Sequence, residues 1–447
     1  MELKARKLRI VVSQRKGERH KTMSEMLEKI LSSENMNNAY KRVYANHGAS
    51  GVDGVNVEQA KDYIKEHWES ISEQIRKRSY APQPVRRVYI PKPNGDKRPL
   101  GIPTVMDRII QQAIVQVLSP ICEEYFSEYS YGFRPGRSCE KAIMRVLDLL
   151  NDGYDWIVDI DLEKFFDKVP QIKLMSYVHQ IIDDPDTESL IGKYLKAGVM
   201  ENGVKVATEM GTPQGGNISP LLSNIMLNKL DKELEARELN FVRYADDCVI
   251  LVRSEASAKR VMNSISRFIE NKLGLKVNMT KTKVTRPSKL KYLGFGFYYD
   301  FKTSKWKARP HKDSVEKFKR KLKALTKRNW SIDMTERLKL VNYVIRGWIN
   351  YFRIGDMSNK LREVDMRLRT RIRIIIWKQW KVPSKRRWGL LKLGVPVWLA
   401  NKLSQWGDHY QLVALKGIHS IISKEILAKR GLVSCLDYYN QRHVVYV

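Results

Sequence analysis

The sequence predicts an α+β protein whose strands and helices surround a largely antiparallel sheet. Between residues 156 and 300, short apolar runs rich in β-branched residues alternate with helical patterns, which favours a mixed fold over an all-helical one. From residue 311 onward the patterns are mostly helical. The chain has 447 residues, which exceeds one ordinary core, so about two to four domains are expected.

One predicted hairpin carries two adjacent carboxylates. Residues 241–243 and 248–252 have the composition of strands, which leaves residues 245–247 for the turn. Two like charges at the mouth of a buried hairpin repel each other unless a cation lies beside them. Magnesium suits such a place because it prefers oxygen ligands and is bound by one or two carboxylates plus substrate phosphates. Asp246 and Asp247 are therefore candidate metal ligands, although a bare Asp-Asp pair is more often a solvated turn.

A second strand offers a third acid. Residues 156–162 are a predicted strand whose alternation places Asp159 and Asp161 on one face. Acids at the end of a buried strand are costly unless they bind something. Two metal ions about 3.5 to 4 Å apart, which clamp the oxygens of a phosphoryl transfer, need carboxylates from several segments. We therefore expect Asp161 to be the third ligand.

The segment before residue 156 contains predicted helices and one hairpin. Residues 1–21 are polar and basic, which fits either a flexible RNA-binding arm or an unstructured leader before a start at Met23. Residues 85–90 and 97–101 form a predicted hairpin about an Asn-Gly turn. Helical patterns cover residues 24–31, 38–44, 57–78, 104–118 and 139–150, and a loop covers 48–54.

Two pairs of basic residues in this segment are candidate contacts to phosphates. Lys92 and Arg98 bracket the turn of the hairpin and could face one phosphate chain, although solvated cations are nearly as expected on a basic protein. Arg134 and Arg137 lie in a glycine- and proline-containing loop at 131–137. We expect this second pair to contact RNA.

The rest of the chain continues with helices, short strands and one more loop. Residues 211–220 form a loop, bounded by glycine and proline, that opens a helix over 221–235. Such a helix start can approach phosphates or a base pair closely, although a structural turn fits the same residues. Further helices are predicted at 173–196, 256–273, 315–328, 334–352 and 359–381, strands at 204–209, 275–278 and 290–299, a basic linker at 383–387 and a small domain at 388–447.

The positive charge of the chain predicts a polyanionic partner. Its 81 Lys and Arg residues against 49 Asp and Glu give a formal net charge of +32, and phosphate backbones attract such proteins through counterion release. From residue 301 onward, 34 basic residues face 10 acidic ones, a net charge of +24. Eight of the ten Trp lie there too. Cations interleaved with aromatic rings suit unpaired nucleotides, although any single Trp is more readily explained as a core residue.

Cysteine usage and hydropathy exclude several other classes of protein. The four cysteines are far apart and form no Cys-x-x-Cys pair, so neither a disulfide framework nor a zinc module is indicated. No apolar run approaches the length that spans a membrane, and the basic N-terminus lacks the apolar core of a signal peptide. We expect no membrane partner and a cytoplasmic location in a bacterial cell, where association with the nucleoid would suit the charge.

Together these motifs resemble the reverse transcriptases, and among them the maturases encoded by bacterial group II introns. Residues 346–352, Arg-Gly-Trp-Ile-Asn-Tyr-Phe, are similar to the signature of the maturase thumb. Seven blocks in the order of the family are much more specific than an isolated Tyr-Ala-Asp-Asp. These blocks are residues 90–104, 131–138, 159–169, 211–220, 241–252, 274–283 and 290–297.

The resemblance implies a right-hand polymerase with fingers, palm and thumb, an antiparallel palm sheet, a mostly helical thumb and a small C-terminal domain. The N-terminal extension, a basic leader plus helices, would cover residues 1–79. The implied boundaries of the other parts are 80–155 for most of the fingers, 156–307 for the palm with part of the fingers, 308–382 for the thumb and 383–447 for a basic domain that binds DNA or RNA.

The resemblance also implies a metal site. Asp161, Asp246 and Asp247 would hold two Mg²⁺ ions, for which Mn²⁺ could substitute. Asp161 is preferred to Asp159 because the motif of the family runs from the catalytic acid through four residues to an aromatic residue and then Asp, here Phe166 and Asp167.

Other residues would bind the nucleotide. Phe166 would lie under the sugar and exclude a 2′-hydroxyl, which selects deoxynucleoside triphosphates. Lys92 and Arg98 match residues that hold the triphosphate, and Gln214 matches the residue that supports the nascent base pair. Lys281 is similar to the basic residue proposed to protonate the leaving pyrophosphate, with Lys283 as its competitor.

The implied function is an RNA-directed DNA polymerase that copies intron RNA into cDNA and, as a maturase, binds its group II intron RNA to promote splicing and intron mobility. Its expected partners are that intron RNA, an RNA template with a DNA primer, target DNA and deoxynucleoside triphosphates. Some members of the family end in an endonuclease domain that contains Cys and His. The residues after 388 lack that pattern, so the chain resembles the class that takes primers from nicks or replication forks.

Three alternatives remain open at the level of sequence. A reverse transcriptase of a retron, diversity-generating or phage-defence lineage is disfavoured by residues 213–216 and 347–352. A non-catalytic RNA-binding splicing cofactor is disfavoured by the complete set of acids. A viral-type polymerase that makes RNA is disfavoured by Phe166.

Overall fold

The computed structural model describes residues 24–91, 95–212 and 215–444. The helices are α1 (Glu25–Leu31), α2 (Ser33–Ala45), α3 (Ala60–Arg76), α4 (Val105–Glu123), α5 (Cys139–Asn151), α6 (Phe165–Lys168), α7 (Gln171–Ile182), α8 (Pro185–Lys196), α9 (Ser219–Ala236), α10 (Glu255–Phe268), α11 (Lys312–Leu325), α12 (Met334–Phe352), α13 (Ser358–Gln379), α14 (Pro383–Lys392), α15 (Val397–Ser404), α16 (Tyr410–Leu412), α17 (Lys424–Lys429) and α18 (Cys435–Arg442). None of the described helices is long and apolar enough to cross a lipid bilayer.

The strands of the described ranges form three sheets. They are β1 (Val85–Pro91), β2 (Lys97–Ile102), β3 (Trp156–Ile160), β4 (Val199–Glu201), β5 (Val204–Val206), β6 (Asn240–Tyr244), β7 (Asp247–Val252), β8 (Lys283–Thr285), β9 (Lys291–Tyr292), β10 (Phe295–Asp300) and β11 (Lys305–Pro310). The sheet orders are β2-β1-β4-β5, β6-β7-β3-β8 and β11-β10-β9. The pairs β1–β2, β4–β5, β6–β7, β9–β10 and β10–β11 are antiparallel, and β1–β4 is parallel.

The chain divides into two compact units. The first comprises Met1–Ser138 and Val158–Val284, and the second comprises Cys139–Ile157 and Thr285–Val447. The predicted α+β class, with antiparallel sheets and a helical C-terminal part, is confirmed. The division into the five predicted segments stays a prediction.

The core of the first unit is built on α4, α9 and the central strands. α9 buries residues on all sides, among them Leu222, Ile225 and Leu230, as expected of a helix that runs through a core. In β6 and β7, residues 241–243 and 248–252 are buried, so both faces of these strands are covered. This burial fixes the turn that joins the two strands.

The second unit is mostly helical. In α12 the residues Leu338, Val341, Ile345 and Ile349 are buried at the spacing of one helix face. Trp377 of α13 is fully buried and donates from its indole nitrogen to the Gly407 carbonyl at 3.0 Å. Trp377 is therefore a core residue, as expected of any single Trp in this part of the chain.

The predicted helix over residues 173–196 is two helices, α7 and α8. Asp183 has a positive φ of 44° and ends α7. The Asp184 side chain then accepts a hydrogen bond from the Thr187 N–H at 3.2 Å, and Pro185 occupies the first turn of α8. An N-cap followed by proline is a start signal, so the break was visible in the sequence.

Two local predictions were wrong. The basic linker at 383–387 is the first half of α14, because Pro383 occupies the first helical turn, where its missing N–H costs nothing. Residues 275–278 form no strand beyond one bridge, between Leu162 and Val277, and β8 lies further along the chain. Strand β4 was not predicted, although it joins β5 through Asn202 and Gly203, both with positive φ, an Asn-Gly hairpin signal.

Candidate active site

The two adjacent carboxylates lie at the tight turn between β6 and β7. Tyr244 pairs with Asp247 in the antiparallel register, so Ala245 and Asp246 form the turn and Asp247 begins β7. Ala245 has a positive φ of 57°, a conformation that costs a non-glycine residue energy unless its surroundings hold it. The neighbours of this turn therefore matter for where the carboxylates lie.

A buried ion pair lies directly behind the turn. Arg243 and Asp231 are both fully buried, and the guanidinium donates two hydrogen bonds to the carboxylate at 2.7 and 2.5 Å. It also donates to the Ala245 carbonyl at 2.8 Å. Bidentate pairs of this kind combine strength with a fixed geometry. Arg243 thus ties the turn to α9.

The loop that contains Gly132 supports the same turn from another side. The Asn224 side chain accepts from Arg243 at 3.1 Å and donates to the Gly132 carbonyl at 2.9 Å. A Cβ atom on Gly132 would lie 2.3 Å from the Ala245 nitrogen, which is closer than any real contact. Glycine is required here because the two backbones touch.

Strand β3 lies beside β7 in the same sheet and ends at Ile160, so Asp161 follows the strand rather than lying within it. The Asp161 N–H donates to the Thr282 hydroxyl at 3.1 Å, and the Asp161 carbonyl accepts from the Asn278 N–H at 2.9 Å. The segment 278–282 therefore fixes the backbone of Asp161.

Electrostatic coupling joins the carboxylates of the two strands. Partial burial raises the pKa of Asp247 to about 6, and repulsion by Asp246, Asp159 and Asp161 adds to the effect. Burial also raises the pKa of Asp246 and of Asp159, with a further contribution from Asp161 in both cases. The structure thus concentrates negative charge where the sequence predicts metal ligands.

The donor set suits a divalent cation. Carboxylate oxygens are the ligands that Mg²⁺ and Mn²⁺ prefer, and a bound cation would offset the repulsion that raises these pKa values. Within residues 24–91, 95–212 and 215–444, no three His, Cys, Asp or Glu side chains are arranged closely enough to hold a metal ion as they stand.

Arg98 approaches the carboxylates from the other sheet. It lies on β2, opposite Ile90 of β1, and its positive charge lowers the pKa of both Asp246 and Asp247, against the larger effect of burial. Lys92 and Gln214, the other predicted contacts of the triphosphate and nascent pair, lie outside the described residues.

Phe166 borders a cavity of about 310 Å³. Its ring is half-buried and packs edge-on against Phe165, with centroids 5.3 Å apart. The Phe166 carbonyl accepts from the Thr212 N–H at 2.7 Å. This bond joins α6 to the beginning of the loop at 211–220.

Lys281 and Lys283, the two candidates for the proton donor to pyrophosphate, pair with different acids. Lys281 Nζ lies 3.6 Å from the Asp161 carboxylate, and Lys283 Nζ lies 3.9 Å from that of Asp159. The Lys281 side chain is well exposed, so it can reach a phosphate beside Asp161. Because Asp161 is the predicted ligand, the geometry favours Lys281.

Arg134 and Arg137 differ in their availability to RNA. The Arg134 side chain is 3% exposed, pairs with Glu123 at 2.8 Å and donates to the Ser130 carbonyl. These contacts engage the Arg134 side chain within the protein, and its predicted RNA contact stays a prediction. Arg137 lies nearer the surface, above the Tyr131 ring, and its predicted RNA contact stays a prediction.

Sequence reasoning missed the residues that hold the carboxylates in place. Arg243 is a charge within an apolar strand, and Asp231 shares one side of α9 with the apolar Leu227 and Leu234. Each would be costly to bury alone, which is a signal that the two pair. Gly132 carried a weaker signal, since a glycine in a Gly/Pro loop has many explanations.

Two protein-family models match successive parts of the chain. Residues 90–297 match the reverse transcriptase (RNA-dependent DNA polymerase) family, and residues 315–394 match the maturase-specific domain of group II introns. The first match contains every predicted catalytic residue. The second covers α12, α13, α14 and most of α11.

Similar proteins agree with these matches. Protein YkfC of Escherichia coli (strain K12) is 37% identical, and the alignment covers 52% of this chain and 71% of YkfC. The group II intron-encoded protein LtrA of Lactococcus lactis subsp. cremoris is 33% identical over 58% of this chain. The chain spans about half the length of LtrA, 54%.

Among solved structures, a chain of a partial Cas6-RT-Cas1--Cas2 complex is 22% identical, covering 56% of this chain and 43% of that one, with a TM-score of 0.36. The family assignment rests on the sequence matches, which contain the Tyr-Ala-Asp-Asp turn and the helical domain after it. The chain belongs to the reverse transcriptases and maturases of group II introns.

Proposed function

We propose that this chain is an RNA-directed DNA polymerase that copies intron RNA into cDNA at the carboxylates of the β6–β7 turn and of Asp161, which follows β3. The observation that carries the proposal is the position of Asp161, which directly follows β3, beside β7, the neighbouring strand of the sheet that begins at the Asp246–Asp247 turn. Such a cluster is costly unless cations bind there. Its position within the reverse transcriptase match assigns the chemistry.

Asp161, Asp246 and Asp247 would hold two Mg²⁺ ions. When bound, divalent ions of this kind activate a primer 3′-hydroxyl and offset charge on the departing pyrophosphate. The chain itself mainly supplies positions and fixed charges. Arg98 would neutralise the triphosphate together with Lys92, and Lys281 would donate a proton to the leaving group.

Selection of deoxynucleotides would rest on the cavity beside Phe166. The ring lies at the rim of a space that Tyr89, Gly101 and Gly211 also line. A sugar with a 2′-hydroxyl would collide with the ring, whereas a deoxyribose would pack against it. Gln214 would support the nascent pair from the adjoining loop.

We further propose that the second unit binds the parent group II intron RNA, stabilises the form that splices and so supports intron mobility. The support is the match of residues 315–394 to the maturase-specific domain and the net charge of +24 from residue 301 onward. The predicted DNA or RNA contacts of residues 383–447, including those to target DNA, belong to the same proposal.

The substitution Asp246→Asn tests the polymerase. It should abolish incorporation of deoxynucleotides on a primed RNA template in the presence of magnesium, because one carboxylate of the metal site is lost. RNA binding should stay within a few fold of the unsubstituted chain, since Asp246 is remote in sequence from the maturase domain. The assay compares RNA and DNA templates and deoxy- and ribonucleoside triphosphates.

Asp300→Asn provides a matched control, because this half-buried carboxylate lies on the β10–β11 hairpin and pairs with Lys307. It should leave incorporation unchanged. Incorporation that survives Asp246→Asn would show that the metal site is misassigned. An unsubstituted chain that binds RNA but incorporates nothing would favour a non-catalytic splicing cofactor.

A further inference from the structure

Two tryptophans of the second unit are exposed on neighbouring helices. Trp388 of α14 is 62% exposed and Trp398 of α15 is 67% exposed. The interior of a helical domain explains Trp377, which is fully buried, but it does not explain these two rings. A large aromatic surface left in water indicates a partner.

The packing of α14 shows that Trp388 points away from the core. The inner side of this helix consists of Arg386, Gly389 and Leu390, all buried. A Cβ atom on Gly389 would lie 2.7 Å from the ring of Trp380, so the helix is pressed against its neighbour there. Trp388 is on the opposite side, and Lys392, one turn later, lies 5.0 Å from the centre of its ring.

Helix α15 repeats this arrangement. Ala400, Leu403 and Ser404 are buried on its inner side, whereas Trp398 and Lys402, one turn apart, are exposed. Arg387 of α14 donates to the Asn401 side chain at 2.6 Å, and Asn401 is three residues from Trp398. This hydrogen bond joins the two helices, and their exposed residues Trp388, Lys392, Trp398 and Lys402 define the tryptophan surface.

The sequence around this surface is basic, and Asp408, the next acid along the chain, pairs with Arg386 on the inner side of α14. Residues 366–407 contain 11 Lys and Arg and no Asp or Glu. A second copy of this chain, with the same excess of positive charge, would be repelled. Cations beside aromatic rings match a polyanion that exposes flat apolar groups, which is the chemistry of a nucleic acid strand with unpaired bases. A paired duplex would satisfy the cations but leave the rings without partners.

We infer that the tryptophan surface binds unpaired nucleotides of RNA, whose bases stack on Trp388 and Trp398 while Lys392 and Lys402 contact the phosphates. The choice of RNA rests on the proposed function of the second unit, because Trp388 lies within the match to the maturase-specific domain. The surface therefore adds a preference for single-stranded segments to the general attraction of a basic protein.

The test is the binding of the full chain to three labelled probes, measured by fluorescence anisotropy: an unstructured 15-nucleotide RNA, a 15-base-pair RNA duplex and a DNA strand of the same sequence. Trp388→Ala and Trp398→Ala should each weaken binding of the single-stranded RNA by roughly tenfold, the size expected for one lost stack. Trp388→Phe should keep most of the affinity. Duplex binding should change less than about twofold, since it depends on charge.

Phe301→Ala is the matched control, because Phe301 is an 87% exposed aromatic residue of the same unit that lies outside this surface. It should leave all three affinities unchanged. Circular dichroism and thermal unfolding verify that each variant is folded. Primer extension is scored on the same preparations. Failure of the unsubstituted chain to extend a primer would contradict the proposed polymerase activity. The result on single-stranded RNA binding would not be affected.

Several outcomes would overturn the inference. If the Trp variants lose the same affinity for the RNA strand and for the duplex, the two rings stabilise the protein and do not stack on bases. A larger loss on the DNA strand than on the RNA strand would assign the surface to DNA. Unchanged RNA binding together with lost binding to vesicles of phosphatidylcholine and phosphatidylserine would assign it to a lipid surface, and unchanged binding to every probe would leave a protein partner.

Discussion

At the scale of single residues, the candidate active site depends on groups that touch no substrate. Gly132 is the clearest case, because a Cβ atom added to it would overlap the backbone of Ala245 and Tyr244. The substitution Gly132→Ala should cost about 1 to 3 kcal/mol of unfolding free energy, the usual range for overpacking, and should slow nucleotide incorporation. Urea unfolding and primer extension measure the two effects.

Gly192→Ala is the matched control, since a Cβ atom there meets nothing within 4 Å and the residue lies in α8. It should stabilise the chain by about 0.5 to 1 kcal/mol, as expected of alanine in a helix, with unchanged incorporation. Normal activity and stability of Gly132→Ala would show that the loop can move away from the turn at no cost.

Phe166 should determine whether the polymerase selects deoxy- or ribonucleotides. Phe166→Ala should open the cavity of about 310 Å³ and admit ribonucleotides, whereas Phe166→Tyr keeps the bulk of the ring and should keep the selectivity. The measurement is the ratio of kcat/KM for deoxy- over ribonucleoside triphosphates on one primed RNA template. A ratio that does not move in the alanine variant would remove the role assigned to Phe166.

At the scale of elements, the ion pair between Arg243 of β6 and Asp231 of α9 holds the turn against the helix. Arg243→Met alone would leave a buried carboxylate without its partner and should cost about 3 to 5 kcal/mol. The double variant with Asp231→Leu removes both charges and should recover most of this loss. Its incorporation rate should stay low, because the Ala245 carbonyl has still lost its donor.

Urea unfolding separates stability from activity in this pair of variants. Single and double variants are compared at a temperature where both are folded, so that a slow rate cannot be attributed to unfolded protein. A double variant that copies RNA at the rate of the unsubstituted chain would show that the ion pair serves stability alone.

The elements also show which features a single sequence reveals. The turn with Asp246 and Asp247 was predictable because apolar strands on both sides leave no other place for it. Strand β11 and the end of β3 were not, because their extent depends on partners far away in the chain. Arg243, Asp231 and Asn224 come from two elements, and only their packing shows that they share one hydrogen-bond network.

At the scale of the whole molecule, the uneven distribution of charge should govern RNA binding. Affinity for RNA should fall steeply between about 50 and 200 mM salt, as counterion release requires. Lys381→Gln combined with Lys385→Gln, two exposed cations within the acid-free stretch 366–407, should make the plot of log affinity against log salt shallower. Each lost phosphate contact on a single strand should reduce its slope by about 0.7.

The matched control changes the net charge equally but elsewhere. Lys65→Gln with Lys77→Gln removes two exposed cations of the first unit, one within α3 and one directly after it. It should leave the slope unchanged if contacts rather than total charge determine affinity. Equal changes of slope in both double variants would mean that RNA responds to the overall charge of +32. Local placement of the cations in the second unit would then have no part in recognition.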